Sequence, residues 1–147
     1  MSRLHPIINK FATDATHDNY NIGLYPMKLT ALIDRIKSHP DYPKAGMILC
    51  HNGVVRGTSR DGRAVKGLNV AVDHQKLEQI VSEQKKATGI MDIKVEIAED
   101  RDLAVGEDVM LLVVAGDIRE NVIKVLTDTL NLIKSTVTNK TEYFIDK

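Results

Sequence analysis

Val109-Met110-Leu111-Leu112-Val113-Val114, followed directly by Ala115-Gly116-Asp117-Ile118-Arg119, is the stretch that decides the fold. Six apolar residues in a row with no polar alternation predict a strand covered on both faces, and so a central one. Asp117 is positioned to cap the longest helix of the chain. Behind it Ile118, Val122, Val125, Leu126, Thr129 and Ile133 step by three and four along one side, as an amphipathic helix requires. A two-faced strand that feeds such a helix needs neighbouring strands on both edges and a further layer to cover it.

Working outward supplies them. Upstream, Ile90, Ile93, Val95 and Ile97 predict a strand, and Glu99 to Gly106 reads as a polar connection. Leu68, Val70 and Val72 alternate with Asn69, Ala71 and Asp73, giving a strand with one apolar face. Asp73 then caps a helix with Leu77, Ile80 and Val81 on its core side, closed by Lys85-Lys86 and Gly89. Ala45 to Arg56 reads as a buried strand with an irregularity at Gly53. Leu29, Leu32, Ile33 and Ile36 predict a short helix that ends before His39-Pro40. Tyr143-Phe144-Ile145 closes the chain as an edge strand. An N-terminal helix followed by β, β, α, β, β, α, β predicts an α+β domain: two layers, a mostly antiparallel sheet with helices packed on it. That domain spans 27–147. Residues 1–26 lack periodicity and are expected to form a loosely ordered extension, with Met27 a candidate start.

The composition narrows the function classes. The chain has 147 residues, 43% hydrophobic and 27% charged, as expected of one globular domain. Twenty basic residues balance twenty acidic ones, which argues against a nucleic-acid binder. One cysteine and the lack of a long apolar run predict a reducing, cytoplasmic setting with no membrane contact. The five histidines are dispersed without an HxH or HExxH pair, so no metal site is expected. Cys50, in an apolar run, reads as a buried structural thiol. Gly53, Gly57, Gly62 and Gly67 match no phosphate-loop spacing and read as turns and bulges.

Cations remain the informative residues. Residues 54–66 hold Arg56, Arg60, Arg63 and Lys66 against the single acid Asp61. Arg60, Arg63 and Lys66 fit a solvated hairpin loop. Arg56 differs: it closes an apolar strand after Val54 and Val55, where a guanidinium can present a bidentate fork to phosphate or carboxylate. Arg119 lies in the first turn of the long helix, unfavourable against the helix dipole. It is read either as half of an anion site built with the helix amides or as a surface ion pair to Glu120 or Asp117. Lys134 and Lys140, near the far end, read as nucleophile candidates or as plain surface lysines. A lysine attacks only when deprotonated, so its ordinary pKa of about 10.4 has to be lowered first.

Gly53-Val54-Val55-Arg56, Arg119, Lys134 and Lys140-Thr141-Glu142, with Leu103 to Val109 as an acidic Gly turn before the central strand, together resemble the large, catalytic subunit of molybdopterin synthase. The resemblance covers residues 45–144. It implies the hammerhead-like fold of that subunit and a sulfurtransferase of molybdenum cofactor biosynthesis. Sulfur would pass from the C-terminal Gly-Gly thiocarboxylate of a small ubiquitin-like carrier subunit to a cyclic pyranopterin phosphate, with no resident cofactor. Carried over by position, Lys134 is the principal catalytic residue and Lys140 assists it. Val54, Val55, Arg56, Ile118, Arg119, Thr141 and Glu142 fall at substrate-binding positions, Glu142 orienting Lys140. Three features depart from the pattern. Ile118 stands where the family has a His, Thr138-Asn139 replace aromatics, and the Lys134–Lys140 interval is one residue short.

Fifteen residues of continuous helix would separate Arg119 from Lys134 by about 22 Å. No single pterin spans that, so joint use predicts a homodimer, within a heterotetramer, whose sites combine Arg119 of one subunit with Lys134 and Arg56 of the other. Two alternatives stand beside the enzyme: a non-catalytic paralogue that binds the carrier as a scaffold, and an unrelated small-ligand domain using the Arg56 loop.

Overall fold

A computed structural model describes residues 20–22 and 27–146. The decisive stretch forms β6 (Asp108–Gly116), and its two faces enter two different cores. Met110, Leu112 and Val114 join the larger core, while Leu111, Val113 and Ala115 join the smaller. Each of the Met, Leu and Val side chains among them, withdrawn from water, contributes about 1.5–3 kcal/mol. β6 is central, antiparallel to β2 (Met47–Val54) on one side and to β4 (Ile90–Ile97) on the other. β1 (Tyr20–Ile22) pairs parallel with β4 at the far edge, a strand that the sequence pattern does not reveal. The rest of the expected loose extension, and Lys147, lie outside the described residues.

A second sheet, ordered β5 (Leu103–Ala104), β3 (Val65–Val72), β7 (Thr138–Phe144), is antiparallel throughout. The α+β class and the dominant antiparallel pairing are as expected, but the strands divide between two sheets. Helices also cover both faces of the larger one. α1 (Leu29–Lys37) seats Leu32 and Ile36 on Leu111, Val113 and Ala115. α2 (His74–Lys85) and α3 (Arg119–Leu132) bring Leu77, Val81, Val122 and Val125 to the opposite face. Asp73 caps α2 as expected, accepting from the Lys76 amide at 3.1 Å.

Several expectations need correction. β5 lies inside the supposed polar connection, too short at two residues to give a periodic signal. β7 begins at Thr138, well before Tyr143, because its polar residues conceal the alternation. The cap residue of α3 is Ile118, with extended backbone and no side-chain capping bond. Asp117 instead accepts from the Ile118 amide at 2.7 Å and from Asn121 Nδ2 at 2.9 Å, bonds that hold its carboxyl below the usual range, the Asn121 bond foremost. Gly89 makes room for that carboxylate: its φ is +76°, and a Cβ there would collide with Asp117. Ile118 is 54% exposed and so is no part of the core stripe. Cys50 is exposed as well, since β2 is an edge strand, although partial desolvation still pushes its thiol pKa up.

Candidate functional site

Where α3 ends, the backbone widens into a π-helical turn, Ile133–Val137. Such turns are uncommon and are frequently found at functional sites. Ile133 (0% exposed) and Val137 (3%) anchor both ends of the turn in the larger core, which leaves Lys134 on the outer side. Thr136 Oγ1 donates to the Leu132 carbonyl at 2.7 Å and fixes the turn further. β7 follows without a break. Its period of two puts Thr138, Lys140 and Glu142 on one face, and Lys140 Nζ lies 3.4 Å from Glu142 Oε1.

Lys134 and Lys140 thereby reach one cleft of about 360 Å³. Its floor is apolar, built from Leu68 and Val70 of β3, Ile97 of β4, and Val109 and Met110 of β6. Its rim is polar, with His51, Arg60 and Thr138 joining the two lysines, and Val54 beside them. Val54 joins the rim where the register between β2 and β6 shifts, between Gly53 and Val54, the irregularity expected there. Desolvation first, and the Lys134 charge second, hold the His51 pKa below its ordinary 6.5, so the ring is neutral at pH 7. An apolar floor beneath a cationic rim suits a ligand with an apolar body and an anionic group. Among the described residues no group of three His, Cys, Asp or Glu side chains could hold a metal ion.

The residues predicted from sequence do not all converge. Lys134, Lys140 and Val54 line the cleft, and Glu142 reaches it through its ion pair with Lys140. Val55 does not: it is 2% exposed and packs in the larger core, since its neighbour Val54 takes the outward position. Arg56 is exposed outside the lining, its Nε donating to the Thr58 carbonyl at 2.8 Å. Thr141 shares the opposite face of β7 with Tyr143, whose hydroxyl donates to Asp102 at 2.9 Å. Ile118 and Arg119 stand at the other end of α3, where Arg119 Nε lies 3.2 Å from Glu120 Oε1.

Three rim residues, His51, Arg60 and Thr138, were given no site role by the sequence pattern. A signal for His51 existed, because Met47 and Leu49 pack on the larger core and alternation carries His51 to the same face just past its edge. For Arg60 the only hint was the local density of basic residues.

Two sheets enclosing an apolar cleft with a lysine and arginine rim define a small α+β domain. Residues 25–136 match the MoaE protein family, and the chain belongs to that family. Its fold is similar to that of molybdopterin synthase from Staphylococcus aureus, at 20% identity over 86% of this chain and 91% of that one, TM-score 0.69. Molybdopterin cofactor biosynthesis protein E from Burkholderia multivorans is similar at 20% identity over 86% and 89%, TM-score 0.67. A protein–protein complex of subunits 1 and 2 of the molybdopterin-converting factor from Helicobacter pylori contains a chain similar at 17% identity over 87% and 86%, TM-score 0.65. No curated protein matches the chain. Family membership supports a role in molybdopterin biosynthesis, as a biosynthetic enzyme. No helix among the described residues is long and apolar enough to cross a membrane.

Proposed function

We propose that this chain is the catalytic subunit of a molybdopterin synthase. It transfers sulfur from the thiocarboxylated C-terminus of a small carrier subunit to a cyclic pyranopterin phosphate. The observation that carries this reading is the meeting of Lys134 and Lys140 at one cleft, although they come from a π-helical turn and a separate strand. The apolar floor suits the pterin ring, and the cationic rim suits the phosphate and the negative charge that develops during acyl-sulfur transfer. Glu142, paired to Lys140, orients that amine. The carrier enters this reading through the two-subunit complex of the Helicobacter pylori relative. Arg119 stands at the far end of α3 from this cleft, so its use in it falls to a second copy of the chain, in a homodimer that carries one small subunit per site, with Arg56 on the same chain as Lys134.

Incubating the protein with thiocarboxylated carrier and the cyclic precursor should yield the dithiolene product. Carrier binding without product would favour the second reading, a scaffold that retains the partner surface but not the chemistry. One observation speaks for that reading: the family's His position holds Ile118, an exposed side chain that neither donates nor accepts a proton.

A further inference from the structure

Arg60 belongs to a loop braced from within. Thr58 and Ala64 bridge its two sides. Ser59, 7% exposed, donates from Oγ to Asp61 and from its amide to the Arg63 carbonyl at 2.9 Å, and Oγ accepts from the Arg63 amide at 3.1 Å. Arg63 Nε in turn lies 2.9 Å from Asp61 Oδ2, and its guanidinium sits 3.7 Å above the Phe144 ring of β7. Gly62, at φ +86°, supplies the turn that an L side chain resists. These contacts occupy Ser59, Asp61 and Arg63 with one another, while Arg60, between them, is the loop's contribution to the cleft rim.

The charge there is unbalanced. Glu142 neutralises Lys140, but among the described residues no ion pair reaches Arg60 or Lys134. Two cations facing an apolar floor with no acid in the lining match the charge of a phosphate better than that of a single carboxylate.

We propose that Arg60, held out by the braced loop 57–64, is the phosphate-recognition residue of this cleft, and that Arg63 is its positioning residue through Asp61 and Phe144. This rests on the reading that the cleft takes a phosphate-bearing substrate. A rigid loop matters because a guanidinium fixed in place gives up less side-chain freedom on binding.

The test is titration of the intact protein with inorganic phosphate, followed by amide NMR shifts, with a glycylglycine peptide as the carboxylate arm. Wild type should show saturable shifts in residues 57–64 and around Lys134. Arg60→Ala should weaken phosphate binding about ten- to a hundredfold, with Arg60→Lys recovering part of the loss, and leave peptide binding unchanged. Arg63→Ala should weaken phosphate binding less, and should add nothing in an Arg60→Ala background, whereas a merely structural role would add its full effect. Unchanged phosphate binding in Arg60→Ala, or loss of the peptide instead of phosphate, overturns the proposal. Phosphate recognition by Arg60 in a protein that makes no dithiolene would sink the proposed function and leave this inference standing. Turnover with phosphate binding indifferent to Arg60 would do the reverse.

Discussion

The two ends of α3 carry the two cations that the sequence pattern pairs, yet they are built differently. At the C-terminal end Ile133 and Val137 are 0% and 3% exposed, and the π-helical turn between them holds Lys134 at the cleft. At the N-terminal end Ile118 is 54% exposed, and Arg119, its side chain 78% exposed, forms its ion pair among the described residues with the neighbouring Glu120 alone. An exposed ion pair of that kind contributes about 0–1 kcal/mol and fixes little. One chain alone therefore gives Lys134 a defined position and gives Arg119 little to hold it.

The contrast can be broken most forcefully at the anchor. Ile133→Ala should cost about 2–5 kcal/mol in denaturant unfolding, because a fully buried side chain leaves a cavity behind, and Lys134 should lose its fixed position with it. A loss under about 1 kcal/mol would mean that the turn is not held by its core contacts. Next comes the sharing of sites between subunits. Arg119→Ala and Lys134→Ala proteins, each inactive alone, should recover about a quarter of wild-type turnover when reassorted. Random mixing makes about half the dimers mixed, each with one intact site. No recovery would confine the site to one chain.

A smaller effect separates the ends by pH. His51 has a folded pKa below its unfolded value near 6.5, so the stability linked to it is complete above about pH 6.5 and is lost as pH falls towards the folded pKa. His51→Phe should flatten that part of a stability-against-pH curve, and an unchanged slope would remove His51 from the electrostatics of the cleft. The smallest effect belongs to the exposed end, where Ile118→Ala should change stability by no more than about 0.5 kcal/mol in the same unfolding experiment.

Much of this arrangement was legible beforehand. The two-faced apolar run placed β6 at the centre, because burial on both sides removes the reason for alternation. Lys134 and Lys140, which both line the cleft, stand out through the resemblance, and the Gly53 irregularity through the weakness of glycine in a strand. Other features were not legible because tertiary contact decides them. Val55 and Val54 are alike in sequence, and Val55 faces the larger core because it shares the face of β2 that Met47 and Leu49 seat there. Thr141 lies between Lys140 and Glu142 in sequence, while strand alternation turns it to the other face. Cys50 looked buried because an apolar run does not reveal which strand lies at an edge. Arg60 owes its place to Ser59, Asp61, Arg63 and Phe144, the last of them distant in sequence.

The decisive measurement is single-turnover product formation from thiocarboxylated carrier and cyclic precursor, comparing wild type with Lys134→Ala at matched folding and carrier binding. Wild type should produce the dithiolene, and Lys134→Ala should be slower by about 100-fold or more. Equal rates in the two proteins, or no product from wild type that binds the carrier, would contradict the assignment of catalysis to the Lys134 cleft.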